Sequence, residues 1–197
     1  MSILYMNHLT QSIPGLQYIP DFIDQTTQTA LIEAIDALPW LTDLKRRVQH
    51  YGYKYDYKKR AIDASMKVGE LPGWAQKITQ QALDKQLLSE HFDQVIINEY
   101  LPGQGIARHV DCEPCFDHTI MSVSLGTACV MHFTSLADKN LDVPVLLTPG
   151  SAILLSGDAR YRWQHSIRAN KSEMFEGQKI VRGRRVSLTF RKVIIQT

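Results

Sequence analysis

From Phe92 onward the chain is cut into short apolar runs, each closed after a few residues by Gly, Pro, Asp or Asn, and this spacing restricts the fold more than any other feature. The runs fall at 93–100 (DQVIINEY), 105–111, 119–126 (TIMSVSLG), 128–133 (ACVMHF), 144–148, 151–156 (SAILLS), 161–167 and 185–194 (RVSLTFRKVI). Segments this short cannot form long amphipathic helices. Seven or eight such strands with turn signals between them predict an antiparallel sandwich or barrel of the jelly-roll kind. The segment 168–184 (RANKSEMFEGQKIVRGR) is too long and polar to be expected as a simple hairpin, and long connections of this kind are often functional.

The first half reads differently. Pro14 to Phe22 is an extended lead-in, and Asp24 is placed to cap a helix carrying Ala30, Leu31, Ala34, Ile35 and Leu38, which Pro39 ends. Trp74, Ile78, Ala82 and Leu83 mark a second amphipathic helix running to about Ser89. Between them, in KRRVQHYGYKYDYKKR (45–60), Tyr51, Tyr53, Tyr55 and Tyr57 alternate with Gly52, Lys54 and Asp56, which predicts a strand with a tyrosine face. The expected class is α+β, mainly β, in one domain over 1–197, with 13–90 before the sandwich and 91–197 forming it.

At 197 residues, 44% apolar and 21% charged, the chain has the material for one core and is short for two. A formal charge of +2 from 22 basic and 20 acidic residues makes no case for nucleic acid or membrane by itself. The same window 45–60 nevertheless concentrates Lys45, Arg46, Arg47, Lys54, Lys58, Lys59 and Arg60 against Asp56 alone. The opening MSILYMNHLTQS has no secretory pattern, and no apolar run reaches a membrane span of about 18 residues. Cys112, Cys115 and Cys129 are few and odd in number, which suits a reducing compartment. A cytoplasmic, monomeric protein with no membrane association is expected.

Three residues carry the chemistry. Two-residue spacing on extended backbone puts His109 and Asp111 on one side, and His165 lies on a later strand that a sandwich can bring beside them. Two imidazoles and one carboxylate on one face of a metal leave open positions, the arrangement of non-haem Fe(II) oxygenases. In RVSLTFR, even spacing puts Arg185, Ser187, Thr189 and Arg191 on one face and Val186, Leu188 and Phe190 on the other. With the apolar face packed outward on helices, two guanidiniums would enter the barrel, where a small dicarboxylate would satisfy them. The alternative is an exposed face with both arginines beside Asp or Glu. A rival metal pattern is Cys112-x2-Cys115 with His109 and His118, a compact zinc site in a binding module. His132 and Trp163 are expected to be structural.

The set Asn98-Glu-Tyr100, Pro102-Gly103, His109-Val-Asp111, Ser122 to Gly126 (SVSLG), Gly157-Asp-Ala-Arg160 with His165, and Arg185-x5-Arg191 resembles the AlkB family of Fe(II)- and 2-oxoglutarate-dependent dioxygenases. Within it, PGQGI, VMHF, RYRW and RRVSLTFRKV are most similar to the AlkB-type domain of the animal tRNA wobble-uridine hydroxylase. Ser166 follows the last ligand, where relatives often carry Gly. The resemblance implies a double-stranded β-helix (jelly-roll) core, N-terminal helices packed on one sheet, and a nucleotide-recognition lid. It implies His109, Asp111 and His165 as Fe(II) ligands, and Arg185 with Asn98, Tyr100 and Ser187 at the distal carboxylate of 2-oxoglutarate. Arg191 is implied near its chelating end. The implied reaction couples O2 and 2-oxoglutarate, which leaves as succinate and CO2, to oxidation of a substrate C–H bond; on an N-methyl group the product sheds formaldehyde.

For the substrate, aromatic faces that stack unpaired bases and cations that follow phosphates suit an extruded or single-stranded nucleotide. Arg46, Arg47, Tyr51, Tyr53, Tyr55 and Lys58 are the candidates, and the partners expected are alkylated or modified single-stranded DNA, RNA or tRNA. The expected reaction is oxidative demethylation of alkylated bases. Hydroxylation of a modified tRNA nucleoside and a protein substrate are the alternatives, and the tyrosines as part of the core are the bland reading of the segment.

Overall fold

The computed structural model describes residues 12–42, 44–57 and 59–195. The elements in order are β1 (Leu16–Ile19), α1 (Gln25–Asp36), β2 (Val48–Tyr51), α2 (Gly73–Asp84), β3 (Gln94–Tyr100), β4 (Ile106–His109), β5 (Phe116–Gly126), β6 (Cys129–Ser135), β7 (Asp142–Leu147), β8 (Ala152–Leu155), α3 (Gly157–Tyr161), β9 (Trp163–Ile167), β10 (Ser172–Phe175), β11 (Gln178–Val181) and β12 (Arg185–Val193).

Two antiparallel sheets build a jelly roll, one of six strands in the order β1-β8-β5-β12-β3-β2 and one of four in the order β4-β9-β6-β7. Alternation decides what each face of the larger sheet does. Val186, Leu188 and Phe190 of β12, with Val95 and Ile97 of β3 and Met121 and Val123 of β5, form one apolar face. Leu31 and Ile35 of α1 and Ala75, Ile78 and Ala82 of α2 cover it. Asp24 starts α1 as its cap, accepting from the Thr27 amide at 2.7 Å. The opposite face of this sheet looks toward the four-stranded sheet, and there a second apolar cluster forms from Leu16, Tyr100, Ile153 and Leu155 with Val130, Phe133, Val145 and Trp163.

Three expectations are corrected. The tyrosine run is not one strand: β2 ends at Tyr51, because Gly52 turns at φ +77° so close to β3 that a Cβ there would meet the Asp93 carbonyl oxygen at 1.8 Å. Beyond it the chain makes single bridges, Tyr53 to Lys67 and Asp56 to Ala61, around a turn. The polar segment 168–184 is a hairpin after all, β10 paired with β11, anchored where the buried Glu173 accepts from the Val130 amide at 2.9 Å and pairs with Arg182 at 3.4 Å. The second helix stops at Asp84 rather than near Ser89, since Gln86 takes a left-handed φ of 57°. No helix among the described residues is long and apolar enough to cross a membrane.

Candidate active site

β4 and β9 pair with His109 opposite His165, so the two imidazoles stand side by side with ring centroids 4.3 Å apart. Asp111 follows two residues after His109. Its Oδ1 lies 3.4 Å from His109 Nε2 and 3.8 Å from His165 Nε2, and the three side chains offer ligand atoms within 4.8 Å of one another. His109 Nδ1 sits 2.8 Å from the Ala107 carbonyl. A carbonyl only accepts, so Nδ1 carries the proton and the Nε2 lone pair faces a carboxylate oxygen. Two acceptors this close call for a cation between them.

Electrostatics holds Asp111 and His165 in the form a metal needs. Burial alone raises the Asp111 carboxyl, but Arg191, whose Nε donates to Oδ2 at 2.9 Å, outweighs it and keeps the group well below the usual carboxylate range. Withdrawal from solvent, with His109 next, pushes the His165 imidazole down to about 3, so its ring is neutral at physiological pH. His165 Nδ1 is buried without a hydrogen-bond partner.

These residues form the floor of a cavity of about 540 Å³ between the two sheets, a size that suits a small molecule. Arg185, Ser187, Thr189 and Arg191 all line it, as the alternation along β12 predicts. Arg185 has 0% exposure and no carboxylate within ion-pair distance among the described residues. Its Nη2 donates to Ser124 Oγ at 2.8 Å and Ser187 Oγ at 3.3 Å, while Nε and Nη1 have no partner. Nη1 of Arg191 is buried and unpartnered as well. A buried guanidinium with donors unspent is costly in an apolar interior, and a dicarboxylate reaching into the cavity would relieve it. The donor set fits a metal ion at His109, Asp111 and His165 with a carboxylate-bearing cosubstrate between it and Arg185.

Around this floor, Asn98 and Tyr100 line the cavity from β3, with Asn98 Oδ1 accepting from Arg46 Nε at 2.8 Å and the Arg185 guanidinium 5.5 Å from the Tyr100 ring centre. Tyr55 and Arg46 line it too. Other residues proposed for the lid do not reach it. Tyr51 packs edge-on against Trp74 at 5.6 Å on the helix side. Tyr53 is packed on the cluster of Ile62, Cys112, Cys115, Phe116 and Val193. Arg47 is held by Glu99 at 2.6 Å and stacks over Trp40 at 4.9 Å. Lys58 lies outside the described residues.

Cavity residues not singled out as site candidates include Tyr57, Arg60, Arg108 and Gln164. Strict alternation turns Arg108 away from His109, but a register shift between Ile106 and His109 breaks that rule. The zinc pattern is not formed. Cys112 and Cys115 are joined as a disulfide, their Cα atoms 5.3 Å apart across a turn closed by the Cys115 amide on the Cys112 carbonyl at 3.3 Å. His118 turns instead to Asp117 at 2.8 Å. The pairing also departs from the expectation of free thiols; proximity in the turn, rather than cysteine number, decides it. His132 is structural, its Nδ1 2.8 Å from Asp142 Oδ2, and Trp163 is buried in the core between the sheets.

Comparison with known proteins agrees with this geometry. Residues 40–191 match the model of the 2OG-Fe(II) oxygenase superfamily. The chain is 37% identical over 204 residues to the alkylated DNA repair protein ALKBH8 homolog of Arabidopsis thaliana, with 92% of this chain and 59% of that one covered. It is 33% identical over 201 residues to the tRNA (carboxymethyluridine(34)-5-O)-methyltransferase alkbh8 of Xenopus tropicalis, covering 91% of this chain and 32% of the other. It thus spans less than two thirds of the first relative and about a third of the second. The solved structure of OsALKBH1 superposes with a TM-score of 0.72 at 18% identity, covering 91% of this chain and 97% of that one, and so shares the fold. With that family model matched over residues 40–191, most of its length, the chain belongs to the 2OG-Fe(II) oxygenase superfamily.

Proposed function

We propose that this protein is an Fe(II)- and 2-oxoglutarate-dependent dioxygenase that oxidises a C–H bond on a base of a nucleic acid, in the first place an N-methyl group of an alkylated base. The observation that carries the proposal is the coincidence, in one cavity, of His109, Asp111 and His165 with the unspent donors of Arg185 and Arg191. His109, Asp111 and His165 would hold the iron, which supplies oxidation by O2 coupled to decarboxylation of 2-oxoglutarate. The protein's own part is positional. Arg185, with Ser187 and Ser124 fixing its fork, takes the distal carboxylate. Arg191 fixes Asp111 through Oδ2 and leaves Oδ1 toward the imidazoles.

Support for a nucleic-acid base comes from the rim. Tyr55 and Tyr57 meet edge-to-face at 5.0 Å beside Arg46, Arg60 and Arg108, so the mouth presents aromatic rings among cations. The names of the Arabidopsis and Xenopus relatives point to alkylated DNA and to tRNA respectively. The tRNA name favours a second reading, hydroxylation of a modified tRNA nucleoside by the same site. The test is succinate release by the iron-loaded protein, prepared without oxygen, on addition of methylated single-stranded DNA, of tRNA, or of neither. Stimulation by DNA with formaldehyde release supports demethylation, and stimulation by tRNA without formaldehyde supports hydroxylation. Succinate release indifferent to both removes the nucleic-acid substrate.

A further inference from the structure

A second cleft, of about 630 Å³, opens beside the active-site cavity and shares Arg46, Ile106, Arg108 and Ile167 with it. Its walls are the turn at Lys45 and Arg46, the segment 103–108 leading into β4, and the end of β9 running to Ala169. Lys45, Arg46, Arg108 and Arg168 line it, and no Asp or Glu among the described residues does. Across both cavities the one lining carboxylate among the described residues is Asp111, which lies against Arg191 and the two imidazoles. Arg168 also leans on Asp142 at 3.2 Å, an exposed pair of the kind that contributes little and exchanges readily.

The walls are built rather than incidental. Gly105 lies so close to β9 that a Cβ would meet the Ile167 carbonyl oxygen at 2.2 Å. Gln104 ties the segment to the Lys45 turn, its Nε2 donating to the Lys45 carbonyl at 2.8 Å and its Oε1 accepting from the Leu101 amide at 2.9 Å. The buried Arg182 donates to the Gln104 carbonyl at 3.3 Å and to that of Arg168 at 3.3 Å, which holds the two walls together. A cleft whose backbone is fixed while its cations reach solvent is arranged to receive a polyanion.

We infer that this cleft seats the sugar-phosphate backbone flanking, on one side, the nucleotide whose base enters the active-site cavity. The inference rests on the nucleic-acid reading of that cavity. A cavity of about 540 Å³ that must also hold the cosubstrate has room for one base and not for its neighbours. The neighbouring phosphates therefore leave through the mouth, and the cleft that meets the mouth at Arg46 and Arg108 carries the matching charge.

The test is the salt dependence of binding of short mixed-sequence single-stranded RNA and DNA oligonucleotides to the iron-free protein. It compares wild type, the triple variant Lys45→Gln/Arg108→Gln/Arg168→Gln, and a control triple Lys85→Gln/Lys139→Gln/Lys179→Gln at exposed positions elsewhere. Thermal midpoints check that all three fold. If each cleft cation neutralises one phosphate, the slope of log affinity against log salt falls by about 2 in the cleft variant and stays unchanged in the control. A fall confined to RNA or to DNA identifies which strand the cleft takes. An unchanged slope in the cleft variant, or an equal fall in the control, overturns the inference while leaving the substrate class standing. Polyglutamate binding that depends on the cleft when oligonucleotide binding does not overturns it in favour of an acidic protein. Absence of any oligonucleotide-stimulated succinate release is the separate failure that removes the nucleic-acid reading itself.

Discussion

Arg160→Met is the substitution that most directly tests how the metal site is held. Arg160 lies in the last turn of α3, three residues before β9 begins and five before His165, and is 2% exposed. Its guanidinium has no carboxylate within ion-pair distance among the described residues. Its donors go to backbone carbonyls of the loop at Asp111 and of the start of β5: Asp111 at 3.0 Å, Cys112 at 3.2 Å, Phe116 at 3.3 Å and Asp117 at 3.5 Å. One side chain thereby joins the loop bearing one ligand to the segment bearing another. Methionine keeps much of the length and flexibility but none of the donors. The Cys112 carbonyl retains the Cys115 and Phe116 amides, so the loss falls chiefly on Asp111. A hydrogen bond from a charged donor contributes about 1.5–3 kcal/mol, and relief of the buried cation offsets part of the total, leaving a net cost of about 2–3 kcal/mol. In a chain of this size that is a fall in Tm of roughly 4–12 °C. The specific consequence is on the metal: freeing the Asp111 backbone should weaken Co(II) or Mn(II) binding by about 10–100-fold in calorimetric titration of metal-free protein. Val145→Ala, fully buried in β7 and away from the cavity, removes about 2 kcal/mol by truncation and serves as the control. Metal affinity in Arg160→Met equal to wild type, or an equal loss in Val145→Ala, would refute the positional role.

Other consequences are equally direct. Arg185→Gln leaves a distal carboxylate without its buried cation, a loss of about 2–5 kcal/mol, so 2-oxoglutarate binding should weaken roughly 30-fold or more in titration of the metal-loaded protein; unaltered affinity places the cosubstrate elsewhere. Glu99 is buried and its carboxyl is held below the usual range by Arg47 first and then by Arg184, despite burial. A carboxyl depressed in the folded state stabilises fully above its ordinary value of about 4.3 and loses that contribution as pH falls through and below it. Thermal melts should show Glu99→Gln less stable at neutral pH and with a shallower loss below about pH 5; a slope identical to wild type rules out this pair as an acid-sensitive element. Tyr55→Ala should weaken single-stranded oligonucleotide binding by about 1–3 kcal/mol. Tyr51→Ala should instead lower Tm, by about 3 kcal/mol of lost core packing, and leave the affinity of the folded protein alone. The reverse pattern would place the wrong tyrosine at the cavity.

The residues most legible before folding were those whose role depends on local periodicity. Alternation along Arg185 to Arg191 separated a cavity face from a helix-packed face, and the two-residue step from His109 to Asp111 paired two ligands, because extended backbone sends side chains to opposite sides in turn. Periodicity failed where the backbone left the regular strand. Gly52 turned the tyrosine run so that Tyr51 went to the helices and Tyr55 to the cavity, and the irregularity before His109 brought Arg108 into the site against strict alternation.

The sequence by itself determined the classes of element, the ligand types and the chemistry they suit, since these follow from side-chain identity and from the two-residue repeat. Tertiary structure alone decided which distant residues meet. His165 reaches His109 only through the β4–β9 register, Arg160 finds the Asp111 loop across 49 residues of chain, and Lys45, Arg108 and Arg168 share a cleft only when three segments pack edge to edge. No local pattern encodes such meetings, because they are set by the pairing order of the strands and the burial that fixes it.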